Sequence, residues 1–111
     1  MSHALAPRQS MKETQPQKYL ETLRRILLNR LGAYETRIFL FGSMARGDFR
    51  RTSDIDIAVL PQKKLPPGLL SRLREEIEES TIPYRVELVD LSKAAPRFLN
   101  HVIKTGMPWN A

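Results

Sequence analysis

Asp54 and Asp56 open a run that is otherwise apolar, Ile55, Ile57, Ala58, Val59 and Leu60, and no other segment restricts the chain as tightly. The run reads as a β-strand. Side chains of a strand alternate with a period of two, so both carboxylates project from one face. Two like charges so placed repel, and without a cation between them one carboxyl protonates or the strand loses stability. The pair makes most sense as ligands for a hard divalent ion such as Mg²⁺, which in turn favours phosphate oxygens.

Just upstream, Arg37 to Phe41 is a short apolar, aromatic run stopped by Gly42-Ser43, the pattern of a buried strand entering a tight turn. Ser43 is expected to cap a short helix. Glycine lets the backbone approach a ligand, while the serine hydroxyl and the free N–H groups of a helix start offer donors to phosphate. Arg46, one turn on, adds a charge. A third acid, needed for a two-metal arrangement, comes from Tyr84 to Leu91, another alternating run. Its acids have opposite parity: Val86, Leu88 and Asp90 share one face, Glu87 and Val89 the other. Glu87, in mid-strand, is the preferred partner of the aspartates, and Asp90, at the strand end, is the alternative.

Each feature alone has a plainer explanation. Gly42-Ser43 suits any strand-to-helix turn with a serine cap, Asp54 and Asp56 suit a strand edge paired with arginines, and Glu87 suits a salt bridge to Arg85. Other phosphate motifs fail on the same residues. Gly42 and Gly47 have P-loop spacing, but Asp48-Phe49 stands where Lys and Ser or Thr are required. Gly42-Ser43-Met44 lacks the second glycine of a dinucleotide fingerprint.

Taken together, these residues resemble the minimal nucleotidyltransferases of the DNA polymerase β superfamily, whose signature is Gly-Ser, ten residues, then Asp-x-Asp. Gly42-Ser43, residues 44 to 53 and Asp54-Ile55-Asp56 match it, and the resemblance runs from about Tyr19 to Gly106. One departure is that the family's third carboxylate is usually aspartate, whereas Glu87 stands here. The resemblance implies two Mg²⁺ ions on Asp54, Asp56 and Glu87, and a nucleoside triphosphate, ATP by preference, whose β- and γ-phosphates are gripped by Gly42 and Ser43 with Arg46 as helper. A hydroxyl nucleophile would attack the α-phosphorus, and Asp56 or Glu87 would take its proton. Minimal members commonly pair with a helical HEPN-type protein as antitoxin and toxin, adenylylating a tyrosine of the partner. By resemblance this chain is expected to be such an antitoxin. The alternatives are a weak or inactive member that neutralises its partner by covering it, and a transferase acting on RNA or a small molecule.

A length of 111 residues suits one domain and leaves no room for a separate acceptor-binding domain. The absence of cysteine removes disulfides and thiolate sites and fits a reducing cytoplasm, where the protein is expected. His3 and His101 are too few for a zinc cluster. No apolar run approaches the ~20 residues of a membrane span. The net charge of +6, from 18 basic and 12 acidic residues, favours an acidic partner. The basic pairs Arg24-Arg25, Arg50-Arg51 and Lys63-Lys64 are scattered, with little aromatic interleaving, so nucleic acid is not directly indicated. Arg50-Arg51, in the loop before Asp54, is placed to steer triphosphate. Self-association is left open.

Residues 1–17, polar and containing Pro7 and Pro16, read as a mobile leader, and residues 18–111 as the domain. Tyr19, Leu20, Leu23, Ile26, Leu27 and Leu31 have helical spacing ended by Gly32; Leu69, Leu70, Leu73 and Ile77 repeat it after Pro66-Pro67-Gly68; Ser92 begins a last helix through Phe98, Leu99, Val102 and Ile103, ending near Gly106. Trp109 is expected to pack or to meet a partner. The order is helix, strand, helix, strand, helix, strand, helix: an α/β fold with, by resemblance, a small mixed β-sheet flanked by helices.

Overall fold

The computed structural model describes residues 5–42, 44–47 and 54–110, with side chains from residue 17 onward. Helix α1 spans Leu5–Leu31 and ends in a 3-10 turn, Gly32–Tyr34. Glu35, at φ 51°, then turns the chain into strand β1, Thr36–Phe41. Strand β2 is Ile55–Pro61, helix α2 Leu69–Glu79, strand β3 Val86–Asp90, helix α3 Pro96–Thr105 and strand β4 Met107–Pro108. Among the described residues no helix is long and apolar enough to cross a membrane.

The sheet order is β3-β2-β1-β4. β1 and β2 are antiparallel, with Thr36 opposite Pro61 and Phe41 opposite Asp56. β2 and β3 are parallel, with Asp56 beside Glu87, and α2 makes the crossover that a parallel pair requires. The sheet is therefore mixed, as the resemblance implies.

Strand alternation sorts the side chains into two cores. Ile38, Leu40, Ile55, Ile57, Val59 and Leu88 face α1 and α2, which contribute Leu23, Leu27, Leu31, Leu73 and Ile77. Phe39 and Ala58 belong to the other face, where Leu91 and Val102 are buried with them and Leu99 packs alongside. Leu23, Leu27 and Leu31 fall four apart, so they share one stripe of α1 and are wholly buried.

Four local features depart from the expected outline. α1 starts at Leu5, within the segment read as a leader; Pro7 falls in its first turn, where the N–H that proline lacks has no intrahelical acceptor. In place of a helix after Gly42, Met44 to Gly47 form a turn closed by the Gly47 N–H donating to Met44 O (3.1 Å). Gly47, at φ 81°, stops helical continuation. α3 starts at Pro96 rather than Ser92, because Ala94 and Ala95 are extended, as the residue before a proline prefers. Beyond Gly106 the chain forms β4 against β1, with Met107 opposite Leu40.

Trp109, 8% exposed, packs into the α1 side of the core, and its N–H donates to Ile38 O (2.8 Å). Asn110 extends this pairing with its side chain. Its Oδ1 accepts from Ile38 N–H (2.9 Å) and its Nδ2 donates to Thr36 O.

Candidate active site

The register of three strands builds the site. Phe41, Asp56 and Glu87 are successive neighbours across β1, β2 and β3, and directly paired residues project from the same face. That face is the one α3 covers, where Phe39, Ala58, Leu91 and Val102 are buried and Phe98 reaches Phe41. Beside that aromatic pair Asp54 and Asp56 are half-buried and Glu87 is exposed. Asp54 immediately precedes β2, where the Ile55 N–H donates to Arg85 O (2.8 Å) and ties the start of β2 to the start of β3.

Burial, then the charge of Asp54, then that of Glu87, pushes the Asp56 carboxyl above its ordinary value. A cation among the three would offset the repulsion from both neighbours, so the donor set fits a hard divalent ion. Among the described residues no three side chains form a ready metal cage. Glu87 Oε1 lies 3.0 Å from Arg85 Nη2. Both explanations of Glu87, acid beside Asp56 and partner of Arg85, coexist in the structure. Asp90 is occupied elsewhere: its Oδ1 accepts from the Ser92 N–H (2.9 Å) and hydroxyl (2.6 Å), capping the 3-10 turn Leu91–Lys93.

Gly42 has φ 76°, and a Cβ built on it would collide with Asp56 Oδ2 and sit 3.2 Å from its Cγ. The backbone at the end of β1 thus lies directly against the Asp56 carboxylate, an approach open only to glycine. Arg46 is exposed in the following turn. Ser43, Asp48 and the Arg50-Arg51 pair lie outside the described residues.

An aromatic pair adjoins the acids. Phe98 of α3 meets Phe41 edge to face, with centroids 5.8 Å apart, and remains 36% exposed. Its helical spacing marks Phe98 as core, and only the cross-strand register reveals that Phe41 is the neighbour of Asp56.

The polymerase beta nucleotidyltransferase family matches residues 33–108. The probable protein adenylyltransferase MntA of Haemophilus influenzae is 33% identical over 61 residues, 55% of this chain and 54% of that protein. The chain thus spans about half the length of the curated relative it matches. A toxin-antitoxin crystal structure with AMP-PNP is similar at TM-score 0.63 and 30% identity, covering 79% of this chain and 73% of that one. The structure of a proposed minimal nucleotidyltransferase is similar at TM-score 0.67 and 27% identity, covering 82% and 93%. A complex of the tri-AMPylated Shewanella oneidensis HEPN toxin with its MNT antitoxin is similar at TM-score 0.57 and 26% identity, covering 82% and 71%. With a family match over more than half of its length, the chain belongs to the polymerase β nucleotidyltransferases.

Proposed function

We propose that the chain transfers AMP from ATP to a hydroxyl, a tyrosine of a HEPN-type partner toxin, and so acts as its antitoxin. The observation that carries this reading is the placement of Asp56 beside Glu87 and against Gly42. Similarity to the probable protein adenylyltransferase of Haemophilus influenzae and to the antitoxin in the complex with the AMPylated Shewanella oneidensis toxin supports AMP as the transferred group and a toxin as the acceptor.

Asp54, Asp56 and Glu87 would hold two Mg²⁺ ions. Bound metal would neutralise charge on the attacked phosphate and on the leaving pyrophosphate. The chain's own groups do the rest. The backbone at Gly42, the Ser43 hydroxyl and Arg46 orient the β- and γ-phosphates. The acceptor oxygen bonds to the α-phosphorus as the bond to pyrophosphate breaks. One carboxylate of the set, Asp56 or Glu87, takes the hydroxyl proton.

A second reading rests on the Arg85–Glu87 ion pair, which engages one of the three acids. In it the chain neutralises its partner by covering it. Asp54→Asn/Asp56→Asn separates the two. Incubated with labelled ATP, Mg²⁺ and the partner, the natural protein labels a partner tyrosine and the variant does not, and neutralisation is lost with labelling. Neutralisation that survives in the variant favours the covering protein. Label on RNA or an aminoglycoside would move the acceptor to a different class.

A further inference from the structure

Lys63, Lys64, Arg74 and Lys93 come from three separate parts of the sequence, and the fold gathers them around one groove of about 610 Å³. The groove lies where β2 ends at Pro61 and β3 ends at Asp90. At ~3.3 Å per residue along β2, that is roughly 20 Å from Asp54. It is therefore separate from the nucleotide site.

Its acid, Asp90, is already bonded to the Ser92 N–H and hydroxyl. Two of the cations have protein partners as well: Lys63 Nζ lies 3.1 Å from Glu35 Oε1, and Arg74 Nη2 donates to Leu88 O (2.9 Å). Lys64 and Lys93 are exposed. A concave surface lined chiefly by one sign of charge focuses its field and attracts the opposite charge.

The rest of the lining selects among anions. Leu65, Leu70 and Pro66-Pro67 supply an aliphatic wall, and among the described residues no aromatic side chain lines the groove to stack a base. A free phosphate or an RNA strand would leave that wall unused.

We propose that this groove binds an acidic peptide segment of a partner protein, with its carboxylates on the lysines and arginine and its aliphatic side chains on Leu65 and Leu70. The inference is independent of the transfer reaction, since it concerns the opposite end of β2. Charge complementarity of this kind sets partner choice and association rate.

The test uses the full chain and three labelled probes: a short peptide alternating glutamate and leucine, a glutamate-only peptide, and an oligouridylate of equal charge. Lys64→Glu/Lys93→Glu is compared with Arg25→Glu/Lys104→Glu, which makes the same charge change on other surfaces. The alternating peptide should bind best, weaken about tenfold in the groove variant and less than about threefold in the control. In the natural protein, backbone amide shifts on titration should concentrate at residues 61–74 and 90–93. Equal weakening in both variants, tighter groove-dependent binding of the oligouridylate, absence of binding, or amide shifts elsewhere would each overturn the proposal.

Discussion

The backbone of Gly42 lies so close against the carboxylate of Asp56 that no side chain fits between them. The residue that follows β1 and the antiparallel strand β2 therefore share one space, with the carboxylate packed against main chain. Gly42→Ala adds a Cβ at positive φ that collides with Asp56 Oδ2. We expect it to cost about 1–3 kcal/mol in urea unfolding. Stabilisation by ATP with Mg²⁺ should also be lost.

Asp56 gives the protein a pH dependence of defined sign. Its folded-state proton affinity is raised, by burial first, then by Asp54 and Glu87. The folded state thus binds this proton more tightly than the unfolded state. The resulting stability is complete below the ordinary value of 3.8 and is lost as pH rises through the raised folded value. Without divalent cations, Asp56→Asn should melt higher than the natural protein at neutral pH, and the gap should close below pH 3.8. Added Mg²⁺ should stabilise the natural protein and not the variant. A higher melting point for the natural protein at neutral pH without metal would contradict this account.

Arg85 and Glu87 form an exposed ion pair, 3.0 Å apart, with side chains 74% and 47% accessible. Pairs of this kind contribute ~0–1 kcal/mol. Arg85→Ala should leave unfolding nearly unchanged. It frees Glu87, so Mg²⁺-dependent stabilisation by ATP should appear at lower metal concentration. A variant that needs more metal would show that Arg85 positions Glu87 instead of competing for it.

Asn110 serves the free backbone of β1 through both ends of its amide, accepting from Ile38 N–H and donating to Thr36 O. Asn110→Ala removes both bonds and leaves partly buried main-chain groups unpaired. The expected cost is about 1–3 kcal/mol in chemical unfolding.

Much of this architecture can be read from residue pattern. A continuous apolar run stopped by Gly42 marks β1, alternation marks β2 and β3, and apolar positions three and four apart mark α1, α2 and α3, because burial on two faces or on one imposes those patterns. The parity of β3 separates Glu87 from Asp90, and the parallel register sets Glu87 beside Asp56. Less legible are features that carry no period. β4 is two residues long and contains a proline, so nothing in Met107-Pro108 announces pairing with β1. The turn at Met44 to Gly47 has the composition of a helix start, and the positive φ of Gly47 decides otherwise. The Arg85–Glu87 pair can be anticipated from spacing, but its presence depends on rotamers. The basic groove is invisible in sequence because its cations are brought together only by the crossover through α2.

Among the described residues, helix α3 covers the second face of the sheet only in part, leaving Phe41, Asp54 and Asp56 half-buried and Phe98 and Glu87 exposed. Small domains bury a modest fraction of their surface, so a partly covered face is a sizeable forfeit. Extending α3 by a turn across that face would add core and obstruct the carboxylates. Stability and access thus pull the length of one helix in opposite directions. Directed evolution toward heat tolerance should accordingly accumulate its changes on the α1 and α2 side, and stabilising changes that bury Phe98 should come with lost activity.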